Sequence, residues 1–279
     1  MKKSPASPSR RRFIEAGAAL TAAGALAKPG EAAQRTSPAP AAGGYAADFF
    51  RVAPIPVVRV GFAGCGLQGT EHIKNLLDID GVELKAVCDI MPEKTERAQK
   101  LAREAGKKEP VAYTRGPRDF ERLCAEEDLD LVYTATPWEW HVPVMLAAMT
   151  HGKHAATEVP AAQTVEDCWK LVETAEKQQK HCLLMENCCY DRPEMMVLHM
   201  LRKGLFGEAM HAEVGYQHDL REIKFETRDE GLWRRAHATR LNANLYPTHG
   251  LGPAAQAMGV NRSDQFDYLV AMAGNSRGL

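Results

Sequence analysis

The sequence predicts an α/β protein built on a parallel sheet, and three observations carry that expectation. A β-rich run, Val57-Val58-Arg59-Val60-Gly61-Phe62-Ala63, opens directly into the G-x-G-x-x-G turn Gly64-Cys65-Gly66-Leu67-Gln68-Gly69 and then a helical stretch. The next strand, Val82 to Cys88, ends in Asp89, 20 residues past Gly69. Strands and helices then alternate up to residue 187. Together these describe a Rossmann-type sheet over residues 57–187 that binds a dinucleotide.

The residues ahead of that sheet read as an address and a linker. Lys2, Lys3 and Arg10 to Arg12 precede a short Ala/Gly/Leu segment from Ala16 to Ala27, and Ser9 to Ile14 resembles the twin-arginine consensus for export of folded cargo. Cleavage at Ala25-Leu26-Ala27 would remove five basic and one acidic residue and leave a mature net charge of -5. Residues 1–27 are therefore expected to be a twin-arginine signal peptide and the mature protein to be periplasmic or secreted. The Pro/Gly-rich stretch 28–56 reads as a linker.

In the sheet region each glycine has a separate task. Gly64 allows the tight turn, Gly66 lets a pyrophosphate approach the backbone, and Gly69 lets the helix pack on the strand. A carboxylate at Asp89 would accept hydrogen bonds from a ribose and repel a 2′-phosphate, which favours NAD over NADP. A third βα unit is expected at Asp130 to Ala135, with Trp138-Glu139-Trp140-His141 in the loop after it and a helix from Val142 to Met149. A strand at His154 to Glu158, a helix from Thr164 to Gln179 with the cap pattern Thr164-x-x-Asp167, and a strand at His181 to Met185 complete the sheet.

Composition excludes several classes. A formal charge of -1 and no basic stripe beyond the N-terminus leave nothing to attract nucleic acid. No apolar stretch reaches 18 residues, so no membrane span is expected after signal removal. Seven cysteines without a CxxC read as reduced, mostly buried thiols, with Cys188 and Cys189 as filler at a strand end. No HExxH is present and His211 and His218 lack a third partner at ligand spacing, so no metal is expected. Met195, Met196, Met200 and Trp169 read as packing residues, and a homo-oligomer remains an open expectation.

Thr157-Glu158-Val159-Pro160 stands where the glucose-fructose oxidoreductase and inositol dehydrogenase superfamily carries Glu-Lys-Pro, with Val159 replacing the lysine. Trp138 to His141, Glu158 to Pro160, Met185-Glu186-Asn187, Gly215 to Arg221, Trp233-Arg234 and Asn244 to Gly250 together resemble glycoside hydrolase family 109. That resemblance implies an NAD-dependent α-N-acetylgalactosaminidase acting on glycans with terminal α-linked N-acetylgalactosamine. It implies cleavage by oxidation at C3, elimination, water addition and re-reduction, in place of a carboxylate pair. It also implies cofactor contacts at Gln68, Gly69, Asp89, Trp138, Glu139, Trp140, His141, Glu158, Val159 and Asn187, beside Gly64 and Gly66 of the glycine turn. Sugar contacts fall on Glu186, Tyr216, Arg234, Tyr246, Pro247, Thr248 and His249.

Of these, His249 and Tyr216 are the expected proton-transfer groups, His249 at the C3 hydroxyl and Tyr216 at C2 with a phenol pKa lowered by Arg234. The alternatives are an exported sugar dehydrogenase of the same superfamily, disfavoured by Val159, and a non-catalytic NAD-binding protein. The superfamily pattern further implies that residues 188–279 are an incomplete α+β substrate domain with a mostly antiparallel sheet. Strands are expected near Tyr216 and at Phe266 to Met272, in a chain expected to be C-terminally truncated.

Overall fold

A computed structural model describes residues 53–275 of the chain. The expected signal peptide and residues 28–52 of the expected linker lie outside the described residues. Six strands form one sheet: β1 (Val58–Ala63), β2 (Val82–Cys88), β3 (Val111–Tyr113), β4 (Leu131–Thr134), β5 (His154–Thr157) and β6 (Cys182–Leu184). Their order is β3-β2-β1-β4-β5-β6 and every pairing is parallel. Parallel neighbours require crossovers, and the helices α1 (Leu67–Asp78), α2 (Pro92–Glu104), α3 (Phe120–Glu126), α4 (His141–Thr150) and α5 (Val165–Gln178) supply them.

The strands are apolar on both faces because helices cover both. Val60, Phe62, Leu84 and Val87 join Ile73 and Leu77 of α1 in one buried cluster. Ala63, Ala86, Cys88 and Val132 join Leu123, Val144, Met145 and Met149 in the other. β1 alternates strictly between the two clusters, and β2 does so across an irregularity that pairs Val60 with Leu84 and Gly61 with Ala86, as a sheet buried on both sides demands. Local signals set the helix ends: Pro92 opens α2, and the Thr164 side chain accepts from the Asp167 N–H at 3.1 Å at the start of α5.

The third strand of the sequence is β3, ahead of the expected third unit, so the Asp130 run is fourth. Val-Ala-Tyr is too short and too exposed to show a period; it is a strand because Ala86 to Cys88 lie open beside it for pairing.

Beyond β6 the expectation fails in kind. Residues 190–275 form α6 (Arg192–Arg202), α7 (Arg221–Phe225), α8 (Glu230–Arg240) and α9 (Thr248–Ala257), joined by irregular chain. Neither the strand expected near Tyr216 nor the one at Phe266 to Met272 forms, and no antiparallel sheet exists among the described residues. Only an isolated bridge, Val260 to Asp264, stands outside the main sheet. An apolar segment becomes a strand only beside a partner, and among the described residues neither segment has a neighbour to pair with. Phe266, Tyr268, Leu269, Val270 and Met272 consequently remain exposed, as do Met195, Met196 and Trp169, which were expected to pack. Cys188 and Cys189 lie in a 3-10 turn, Asn187–Cys189, and not at a strand end.

All seven cysteines are free, four of them buried. Among the described residues no helix is long and apolar enough to cross a membrane. The described residues belong to one compact unit, so the sheet and the C-terminal helices can be read as one body.

Candidate active site

Strand order reverses between β1 and β4, and a doubly wound sheet opens its ligand crevice at the carboxyl ends of such strands. Gly64 has φ +90, and a Cβ there would meet the Ala135 and Thr136 backbone at 2.6 Å. A Cβ on Gly69 would stand 1.8 Å from the Gly64 carbonyl oxygen. Around Gly66, by contrast, a Cβ would meet nothing within 4 Å. The turn therefore leaves an open cradle above the first amides of α1, the fit a dinucleotide pyrophosphate requires. Asp89 braces that turn: its Oδ2 accepts from the Cys65 N–H at 2.8 Å and its Oδ1 from the Met91 N–H at 3.0 Å. Arg97 of α2 donates to the Cys65 carbonyl at 2.7 Å, and Lys94 pairs with Asp229 at 3.0 Å, tying α2 to the start of α8.

After β5, Glu158 is buried and pairs with His72 of α1, whose Nε2 also lies 3.2 Å from the Tyr133 hydroxyl. Burial pushes the Glu158 carboxyl up, but the His72 hydrogen bond and charge outweigh it and hold the group below the ordinary carboxylate range. A carboxyl depressed in this way stabilises the fold above its unfolded pKa, and the contribution is lost as pH falls through the folded value. His72→Leu is expected to reverse this, leaving a buried carboxylate without its facing cation, beside the Val159 N–H at 3.2 Å and the Tyr133 hydroxyl. A loss of about 3 kcal/mol at pH 7 that shrinks as the medium is acidified, read from denaturant melts at both pH values, checks it.

Helices after β6 close the other wall. Trp138, in the 3-10 turn Trp138–Trp140, meets the Trp233 ring edge-on at 4.9 Å and the Tyr246 ring at 5.4 Å. The Arg234 guanidinium lies 4.7 Å from the Trp233 ring centre and 5.8 Å from that of Tyr246, with Nε held by Glu230 at 2.6 Å. Tyr216 and His249 have ring centres 4.5 Å apart. His249 Nδ1 meets Glu186 Oε1 at 2.6 Å, and that oxygen also accepts from the Cys188 N–H at 3.0 Å. The carboxylate fixes the imidazole with Nδ1 as donor, which leaves Nε2 as the lone-pair nitrogen.

These pieces surround a cavity of about 290 Å³. Of the expected cofactor residues, Gln68, Trp138, His141, Glu158, Val159 and Asn187 line it. Of the expected sugar residues, Tyr216, Arg234, Tyr246 and His249 do. Gly64, Gly66, Gly69 and Asp89 build the turn beside it. The remaining expected residues stand apart from its wall. Trp140 packs edge-on against Phe120 at 6.0 Å, and Glu139 turns to His237 at 3.2 Å. Pro247 and Thr248 form the start of α9. Glu186, 5% exposed, does not line the cavity and is linked to it through His249, whose ring it orients.

The Tyr216 phenol is also the reverse of expectation. Burial and the neighbouring Tyr246 raise its pKa, and the opposing charge of Arg234 is too weak to lower it. Sequence reasoning missed His218, Leu220, Ile223 and Glu230, which also line the cavity. His218 Nδ1 lies 3.1 Å from the Tyr216 hydroxyl, and its place in the Gly215 to Arg221 block was the signal that could have found it.

A glycine-turn cradle at the switch point of a β3-β2-β1-β4-β5-β6 sheet defines the class: a dinucleotide-binding domain of oxidoreductase type. Residues 58–186 match the family described as "Oxidoreductase family, NAD-binding Rossmann fold", and residues 190–279 match "Glycosyl hydrolase 109, C-terminal domain". The two matched segments thus resemble the NAD-binding and C-terminal parts of glycosyl hydrolase family 109.

It is 46% identical over 271 residues to a glycosyl hydrolase family 109 protein of Shewanella amazonensis. It is 43% identical over 271 residues to an α-N-acetylgalactosaminidase of Shewanella oneidensis. In both cases 96% of this chain is covered, and the chain spans 59% of the relative's length. The fold is shared with scyllo-inositol dehydrogenase of Lactobacillus casei with bound NAD(H) and scyllo-inositol. That likeness has a TM-score of 0.56 and 20% identity over 73% of this chain and 56% of the other.

Proposed function

We propose that the chain is the catalytic core of an exported, NAD-using glycosidase that releases terminal α-linked N-acetylgalactosamine. One observation carries the reading: Tyr216, Arg234, Tyr246 and His249 line the same cavity as Gln68, Glu158 and Asn187 beside the glycine turn. The activity named for the Shewanella oneidensis relative supports it. Export rests on the twin-arginine pattern of residues 9–14, which lies outside the described residues.

The turn at Gly64 to Gly69 would hold the pyrophosphate, Asp89 the adenosine ribose, and Gln68, Glu158 and Asn187 the nicotinamide end. A bound nicotinamide supplies reversible hydride exchange with a sugar carbon, so that the cycle needs no net cofactor. His249 Nε2 takes the C3 hydroxyl proton, and Glu186 stabilises the charge that forms on the ring. Tyr216 starts as a protonated phenol, since its pKa is raised. It passes its hydroxyl proton to His218 Nδ1 at 3.1 Å as it takes the C2 proton. Arg234, flanked by aromatic rings, holds the N-acetyl carbonyl. Val159 has no amine to offer as a proton acceptor, so that task rests on His249.

The reading is tested by purifying the chain, assaying for co-purified NAD, and following a chromogenic α-N-acetylgalactosaminide beside NADH absorbance. Glycoside cleavage without accumulating NADH is expected; stoichiometric NADH, or no cleavage with NAD bound, overturns it. Tyr216→Phe is expected to slow solvent deuterium exchange at the sugar C2 by about 10²-fold, and undiminished exchange would remove Tyr216 from that step.

A further inference from the structure

Behind His249 lies a group of side chains that the proton-transfer chemistry uses only in part. A nitrogen of His249, the Cys188 sulfur and a Glu186 carboxylate oxygen lie within 4.8 Å of one another. Sequence spacing hides this group, because 61 residues separate Cys188 from His249. The second, independent sign is the carboxylate itself. Glu186 is 5% exposed; Oε1 has two partners, whereas Oε2 is buried without a hydrogen-bond donor. A buried carboxylate oxygen left without a donor is costly, and a cation is the partner such an oxygen accepts as readily as an N–H.

We propose that Glu186, Cys188 and His249 form a binding site for a thiolate-seeking divalent cation of the zinc class. The donor set is one sulfur, one nitrogen and one oxygen. It suits zinc and its soft neighbours and disfavours magnesium and calcium, which take oxygen alone. Ligand atoms around a tetrahedral zinc lie roughly 3.2–3.7 Å apart, so side-chain movements of about 1 Å close the group. Three protein ligands leave a fourth position for water.

On binding, the Cys188 S–H bond breaks, a sulfur–metal bond forms, and the proton leaves to solvent. Burial and the Glu186 charge push that thiol up to about 11, so the free site holds a neutral thiol. Coordination uses the imidazole lone pair; through Nδ1 it requires the Nδ1 proton to pass to Nε2, so with either nitrogen bound the ring has no lone pair left for proton transfer. Zinc is therefore an inhibitor of the glycosidase reading, whereas the binding itself does not depend on that reading.

The test titrates the full 279-residue chain with Zn²⁺ in competition with a chromophoric chelator, and with Co²⁺ for its thiolate charge-transfer band, beside Cys188→Ala. Expected are one Zn²⁺ per chain, a Co²⁺ band absent from the variant, and at least about tenfold weaker zinc binding in it, since even outer-shell partners carry ~10–100-fold. No stoichiometric zinc, or a Co²⁺ spectrum unchanged by Cys188→Ala, overturns the site. Circular dichroism of both proteins confirms equal folding. Zinc binding in a chain without glycosidase activity would sink the function and keep the site; activity without zinc binding would do the reverse.

Discussion

Gly69→Ala is expected to lower Tm by roughly 6–12 °C, because an overpacked backbone contact costs about 3 kcal/mol in a chain of this size. The added methyl would stand 1.8 Å from the Gly64 carbonyl oxygen and 3.1 Å from the Phe62 ring, so relief requires moving α1 away from β1. That contact is backbone against backbone and cannot be removed by a rotamer change. Gly66→Val is the control. Its φ of -68 is open to any residue and its Cβ would meet nothing within 4 Å, so the melting temperature stays within about 1–2 °C of wild type. The valine instead fills the cradle, and dinucleotide affinity falls by at least about tenfold, ~1.4 kcal/mol. Differential scanning calorimetry with a dinucleotide titration separates the two glycines. Equal Tm losses would contradict the roles drawn from their surroundings.

His249→Asn is expected to reduce kcat by about 10²–10⁴-fold with dinucleotide affinity unchanged, the loss typical of removing a general base. Glu186→Gln keeps the volume and an oxygen facing Nδ1 but removes the charge that stabilises the imidazolium. Its turnover falls by less than that of His249→Asn, because the base remains while the charge that forms on it is no longer neutralised. Steady-state rates across pH 5 to 9 for both variants make the comparison. Wild-type turnover in Glu186→Gln would show that the 2.6 Å contact has no part in proton transfer.

Features set by local backbone demands could be read from the residues alone. The Gly64 turn and the Thr164 cap each need a particular residue at a particular offset, and the structure places Gly64 at φ +90 and Thr164 as acceptor to Asp167. Features set by neighbours distant in the chain could not. β3 carries three residues and owes its existence to the open side of β2. The role of Glu186 behind His249 depends on a contact across 63 positions. The direction of the Tyr216 shift is a balance of burial against the Arg234 charge, and no sequence pattern reports burial of an irregular segment. The antiparallel strands expected after residue 188 did not form for the same reason: a ladder needs a pairing partner, and the residues themselves reveal none.

The two ligand duties hang on separate parts of the frame. Groups assigned to the dinucleotide sit at the tips of β1, β2, β4 and β5, anchored in a core that tolerates little change. Tyr216, Arg234, Tyr246 and His249 are borne by α8, α9 and the irregular chain around them, outside the sheet. Under the proposed function, exchanges among residues 216–249 would redraw which sugar is admitted while the nucleotide seat stays intact, so the two halves of the cavity are free to change at different paces.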